Sequence, residues 1–209
     1  MKDIYAVWKA KNIEFLLLLI ILHSTFYILH STFYILHSTF MKYPTKRIQT
    51  GMNNPILRNV SEEIEEINDD LIIFCHKLQL LMWQNKGVGL AAPQVGENIR
   101  VIATSQREKK KTKDKLLGET IMINPIIIEK SKETILREEA CISLPNCTGM
   151  VKRHKAITVE FLDIKGKKQT KKYKEFNAVI IQHEIDHLDG VLFMDKIVKK
   201  NERNKTTKE

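Results

Sequence analysis

Asn177-Ala178-Val179-Ile180-Ile181-Gln182-His183-Glu184-Ile185-Asp186-His187-Leu188 reads as a largely buried helix. Val179, Ile180, Ile181, Ile185 and Leu188 make most of its circumference apolar, which places it inside the protein. His183 and His187 are four residues apart, so they share a face, and Glu184 lies beside them. Two imidazoles at that spacing can reach one metal ion, and the carboxylate can accept a proton from water that the ion acidifies. Satisfied core histidines are the plainer alternative, but an apolar helix gives imidazoles little other reason to be there. A catalytic metal takes three protein ligands and keeps one position open. His76 and His154 lie in other segments, and His23, His30 and His37 belong to a repeat, so the helix leaves its third ligand open.

Upstream, Ser61-Glu62-Glu63-Ile64 has the form of a helix start, with a Ser cap, acids in the first turn and an apolar stripe beginning at Ile64. Ile64, Ile67, Leu71, Phe74, Leu78 and Leu81 recur every three or four residues, which predicts a helix from Glu62 to about Trp83. The Gly-containing stretch Asn85–Gly96 interrupts it. Ile99–Ala103 and Glu119–Ile128 are β-like, and the polar Ser105–Lys115 between them reads as a solvated connection. Ile157–Asp163 and Gln169–Tyr173 flank Ile164-Lys165-Gly166-Lys167 and predict a hairpin. Strands grouped around two helices, without β-α alternation, indicate the α+β class.

The chain has 209 residues, 43% hydrophobic and 28% charged, enough for a buried core and too apolar for general disorder. Three cysteines, Cys75, Cys141 and Cys147, are too few for a disulfide framework and suit a reducing compartment. The formal charge of +9 favours anionic neighbours without naming one. Residues 1–40 differ from the rest. An apolar run, Phe15–Leu22, leads into the unit LHSTFYI at Leu22–Ile28, repeated at Leu29–Ile35 and begun again at Leu36–Phe40. Verbatim repetition is what copied nucleotides give, since packing constrains residue class and does not demand identity. The segment is therefore expected to be an extension ahead of a start at Met41. A signal or membrane anchor is the alternative, although no small-residue cleavage site follows and the His and Ser-Thr pairs dilute the run. Residues 41–198 then form one catalytic domain, and 199–209 a basic polar tail.

Two further stretches bear on chemistry. Gly87-Val88-Gly89-Leu90-Ala91-Ala92-Pro93-Gln94-Val95-Gly96 makes a tight backbone around one Gln but lacks the Lys-Ser/Thr of a phosphate loop. Glu138-Glu139-Ala140-Cys141-Ile142-Ser143 holds a Cys that, taken alone, is usually a small buried hydrophobe.

In this order GVGLAAPQVG, EACIS and QHEIDHLDG resemble the three motifs of peptide deformylases, over about Met41 to Ile197. The resemblance implies a hydrolase that removes the formyl group from the N-terminal formyl-methionine of nascent polypeptides and releases formate. It implies antiparallel β-sheets packed around a central helix carrying HExxH, with an N-terminal helix. By the same resemblance Cys141, His183 and His187 bind one divalent metal ion, Fe(II) natively, with Zn, Ni or Co as substitutes. Glu184 would accept the water proton and pass it to the leaving amine. Gln94 and the backbone N–H of Ile142 would meet the developing oxyanion. Val88, Gly89 and Leu90 would form one wall of the methionine pocket and Val179 and Ile180 the other, with Phe176 nearby.

Partners are then N-formyl-methionyl peptides and the ribosome surface, with no direct DNA contact, and the location is cytoplasmic. A membrane partner follows only if residues 1–40 are genuine. Two alternatives stand beside this reading, an HExxH metallopeptidase and a catalytically impaired deformylase homologue. The second draws on Ala140, where the family normally has Gly; if that position needs positive φ, the methyl group is costly. Arg137 reads as solvated and Cys147 as inert.

Overall fold

A five-stranded antiparallel sheet organises the chain, in the order β1-β2-β3-β6-β7, and a two-stranded hairpin, β4-β5, stands apart from it. The strands are β1 (Gly89–Ala91), β2 (Val101–Glu108), β3 (Lys115–Lys130), β4 (Thr134–Cys141), β5 (Leu144–His154), β6 (Ala156–Leu162) and β7 (Lys168–Lys174). Helices are the single turn α1 (Pro55–Arg58), α2 (Asp69–Gln84) and α3 (Glu175–Leu188), with 3-10 turns at Ala92–Val95 and Phe193–Lys196. This computed structural model describes residues 47–108 and 115–198. The expectations for 1–40, for the tail 199–209 and for the centre of the 105–115 connection lie outside the described residues. No described helix is long and apolar enough to cross a membrane.

The strands of this sheet bury both faces. Leu90, Val101, Ala103 and Ile123 pack on one side with Leu71, Phe74, Cys75, Leu78 and Met82 of α2. Their strand neighbours Ala91, Ile102 and Met122 point the other way, to join Ile157, Val159, Phe161 and the α3 residues Ala178, Ile181, Ile185 and Leu188. Successive strand side chains alternate between faces, so a run apolar at every position is what a sheet covered on both sides requires. A third cluster, Leu57, Leu144, Val151, Leu192 and Phe193, fills the space behind the β4-β5 turn.

The first helix is shorter than its apolar spacing predicts. It starts at Asp69, where Asn68 accepts from the Leu71 N–H at 3.0 Å, and residues 62–67 are extended. Their backbone groups are taken elsewhere. Glu62 donates to Asn98 and accepts from Arg100, both at 2.8 Å, and Asn124 pairs with both backbone groups of Ile64 at 2.8 Å. Ile64 and Ile67 still reach the core from this extended segment, so apolar spacing alone did not separate it from helix. The same Asn124, at φ +50, opens the irregularity that interrupts β3 against β6.

Helix α3 is fastened by two more such amides. Asn177 exchanges hydrogen bonds with the Arg107 backbone at 2.9 and 3.0 Å, and Gln182 with the His154 backbone at 3.0 and 2.8 Å. Its far end turns at Gly190, φ +70, where a β-carbon would collide with the Arg58 carbonyl. The helix is thereby fixed in rotation and along its axis, which decides where its motif points.

Candidate metal centre

Cys141 ends β4, and the two residues Ile142 and Ser143 turn the chain into β5. The pairing register shifts between Ala140 and Cys141. From that end the thiol faces α3: Cys141 Sγ lies 3.2 Å from His187 Nε2, and one donor atom each from Cys141, His183 and His187 fall within 4.8 Å of one another. The donor set is one cysteine sulfur and two imidazoles, the sulfur from a strand end and both imidazoles from one helix more than forty residues further along the chain. It suits a borderline-soft divalent ion, and Cys141 and His183 line a cavity.

One imidazole, that of His183, is oriented from behind. His183 Nδ1 is 2.8 Å from Glu139 Oε2, two residues before Cys141 on the same face of β4. Arg153 of β5 grips Glu139 with two hydrogen bonds at 2.8 and 2.9 Å and reaches Asp186 with a third. Lys196 donates to the other Asp186 oxygen at 2.6 Å. Burial alone would raise the Glu139 carboxyl, but the Arg153 and His183 bonds overcome it and hold the pKa at about 2. Burial would lower His183, yet its bonds to Cys141 and Glu139 raise it to about 10. His187 goes the other way, well below its ordinary value, through burial and the neighbouring His183 charge; its Nδ1 is buried without a hydrogen-bond partner. A pocket that draws a proton onto one imidazole and keeps the other neutral holds cation-seeking donors, and these residues fit a divalent ion.

Glu184 sits beside them, 4% exposed, with Oε2 buried and unpartnered. Burial is the largest influence on it and lifts its pKa to about 7. Gly89 of β1 lies so close that a β-carbon there would overlap the Glu184 carboxylate. Gln94 is oriented at both ends of its amide: Oε1 accepts from the Ala91 N–H at 2.8 Å, while Nε2 donates toward Cys141 Sγ at 3.3 Å and Ser143 Oγ at 3.1 Å. Ile142 is half-buried in the β4-β5 turn.

A cavity of about 450 Å³ opens over these groups, with Val88, Gly89, Gln94, Cys141, Ile142, Phe176, Val179, Ile180, His183 and Glu184 in its lining. The sequence-derived site residues therefore come together, with one correction. Leu90 has no exposure and belongs to the core under α2, because alternation along β1 turns it away from Gly89. Arg137 is not solvated as expected; its guanidinium lies over the Phe176 ring, 5.1 Å from the centroid. Ala140 has no left-handed backbone, so no strain penalty attaches to it. It pairs with Thr148 and adds a methyl group to the cavity wall. Sequence reasoning missed Arg153, Asp186 and Lys196. Glu139 was within reach, since i and i+2 share a strand face, but no pattern in the sequence links Cys141 to Arg153.

A profile of the polypeptide deformylase family matches residues 46–203. The peptide deformylase of Finegoldia magna is 38% identical over 150 residues, covering 72% of this chain and 88% of that protein. That of Rhizobium meliloti is 38% identical over 146 residues, covering 70% and 82%. Among solved structures, the Met-Ala-Ser-bound class I type b peptide deformylase from Acinetobacter baumannii aligns with a TM-score of 0.67 at 30% identity, over 74% of this chain and 99% of its own. A probable peptide deformylase from Synechococcus phage S-SSM7 aligns with a TM-score of 0.65 at 37% identity, over 73% and 100%. The chain belongs to the polypeptide deformylase family.

Proposed function

We propose that this protein removes the formyl group from N-terminal formyl-methionine of nascent polypeptides, with Cys141, His183 and His187 as ligands of one divalent ion, Fe(II) by preference. The observation that carries the reading is the meeting of that donor set with a buried, unpartnered Glu184 carboxylate and an oriented Gln94 amide at one cavity. An endopeptidase built on the same helix motif has no use for the Cys141–Gln94 contact.

A bound ion supplies Lewis acidity, polarising the formyl carbonyl and acidifying the attacking water. Glu184 Oε2 takes the proton from that water; with a pKa of about 7 it accepts and returns a proton at similar ease. Water oxygen adds to the formyl carbon, the C–N bond breaks, formate leaves, and Glu184 gives its proton to the departing amine nitrogen. Gln94 Nε2 and the Ile142 N–H face the developing oxyanion. Gln94 is held for this by the Ala91 N–H, so its donor end turns toward the site. Val88, Gly89, Val179 and Ile180 receive the methionine side chain, and the absence of a side chain at Gly89 leaves room for the Glu184 carboxylate. Residues 41–198 form the catalytic domain, residues 1–40 a repetitive extension, and 199–209 a basic polar tail. The protein works in the cytoplasm.

Formate release from formyl-Met-Ala-Ser by the full chain, purified anaerobically with its metal counted, tests this. Turnover that Glu184→Ala abolishes while metal is retained is the expected result. A folded protein holding one equivalent of Fe(II) or Ni(II) and giving no turnover overturns it.

A further inference from the structure

The Arg137–Phe176 stack at the rim of the cavity is not used by the chemistry above. Arg137 lies on the same face of β4 as Glu139, two residues nearer the solvent, and both Arg137 and Phe176 line the cavity. The guanidinium lies over the Phe176 ring, and that contact restrains it. Among the described residues it enters no ion pair, so its planar fork of donors stays available at the cavity that Arg137 lines. Such a fork matches a carboxylate in bidentate fashion, and a single carbonyl uses only half of it.

The other charges at the rim agree with that ligand. Lys86, exposed at the end of α2, lines the same cavity. Of the acids there, Glu139 is bound to Arg153 and His183, and Glu184 lies at the floor. Only Glu138, exposed and next in sequence to Arg137, opposes the two cations.

We infer that Arg137, braced on Phe176, is a specificity residue that selects formylated peptides carrying a carboxylate side chain within two residues of the formyl-methionine. This rests on the deformylase reading and names a substrate class for it. Arg137 binds the peptide beyond the reacting bond, so its effect falls on KM, with kcat within about twofold.

The test uses the full-chain enzyme and two isosteric pairs of C-terminally amidated peptides. These are formyl-Met-Asp-Ser against formyl-Met-Asn-Ser, and formyl-Met-Ala-Asp against formyl-Met-Ala-Asn. Each pair differs in charge and hardly in shape. At one of the two positions kcat/KM for Asp exceeds that for Asn by about twofold to fivefold, the range of an exposed charge pair. The ratio collapses toward one in Arg137→Gln and is intermediate in Arg137→Lys, which keeps charge without the stacked fork. It also shrinks in 1 M KCl, a measurement on the unaltered enzyme that stands if the variants fold poorly. Turnover with equal Asp and Asn ratios at both positions, or a preference for Asn, overturns the role of Arg137 and leaves the deformylase reading intact. No turnover of any of the four peptides overturns both.

Discussion

Helices α2 and α3 cover opposite faces of one sheet, with 16 and 14 residues, and bury opposite chemistry. The α2 residues at zero exposure are Leu71, Phe74, Cys75, Leu78 and Met82, and the Cys75 thiol is pushed up to about 12 by burial, an inert small hydrophobe. The buried set on α3 includes Gln182, Glu184, Asp186 and His187. Burying such groups costs several kcal/mol each unless partners meet them. The partners come from β4, β5 and the 3-10 turn after α3, through Glu139, Arg153, His154 and Lys196. The exceptions are Glu184, whose carboxylate keeps one unsatisfied oxygen, and His187, whose Nδ1 has no partner. The lesson of the contrast is that α2 holds the sheet together, whereas α3 is held by everything around it so that one carboxylate can stay unsatisfied.

The sharpest break in that contrast is Glu184→Gln. General base catalysis is worth about 10²- to 10⁴-fold, and formate release is expected to fall by about 10³-fold or more while the melting temperature does not drop. Removing an unpartnered buried charge has no folding penalty to exact. A parallel loss of activity and of thermal stability would mean that Glu184 is a structural group after all. Gly89→Ala is a companion case: the new methyl group displaces the Glu184 carboxylate, the flexible end of a side chain, so activity suffers more than stability.

Phe74→Ala inverts the pattern on α2. A fully buried ring traded for a methyl group costs about 3–5 kcal/mol, read as a fall in urea midpoint, while kcat/KM per folded molecule stays unchanged. A large kinetic effect from Phe74 would show that the two faces of the sheet are coupled and that the division drawn above is wrong.

How much of this was legible beforehand differs between the two helices for the same physical reason. The motif on α3 announces itself because His183, Glu184 and His187 are local in sequence and their types are chemically rare on an apolar helix. The start of α2 was misplaced, because Ile64 and Ile67 satisfy a helical spacing while their backbone is claimed by Asn98, Arg100 and Asn124. Those are long-range bonds that no local pattern encodes. The β4-β5 hairpin was not anticipated either: its exposed face carries Leu136, Glu138 and Ala140, too mixed for a strand alternation to be read. Leu90 was assigned to the cavity because the motif names it; the alternation of β1 decides otherwise.

Between the extremes lies Glu139→Ala, which leaves His183 Nδ1 without its acceptor. Partners of this kind are worth about 10- to 100-fold in metal affinity, measurable by competition with a chelator, and kcat of the fully loaded enzyme falls less. Unchanged affinity would mean that α3 alone, through its backbone and packing, orients the imidazole.

The smallest effect belongs to a charge pair at the surface, away from the cavity. Arg58 and Asp195 meet at 2.5 Å, with side chains 29% and 39% exposed, and join α1 to the turn that follows α3. The Arg58 bond is the leading reason that the Asp195 carboxyl lies below its ordinary value. A carboxyl with a depressed folded pKa binds its proton later than in the unfolded chain. Its stabilisation is therefore complete above the unfolded value near pH 4 and disappears as pH falls through the folded one. Asp195→Asn keeps an acceptor for the Leu192 N–H and loses only the charge. The expected loss at pH 7 is below about 1 kcal/mol, screened by salt, and vanishes near pH 2. Urea midpoints of both proteins at pH 7, 4 and 2 measure it, and a difference that persists undiminished at pH 2 would assign the effect to packing. Glu184 has the opposite sign: its raised pKa makes the folded state hold a proton that the unfolded chain has already released, so its contribution declines as pH rises from about 4.5 toward 7. The two carboxylates thus tilt stability in opposite directions, because one is met by a cation at the surface, whereas for the other burial outweighs the nearby His183 and Arg153 charges.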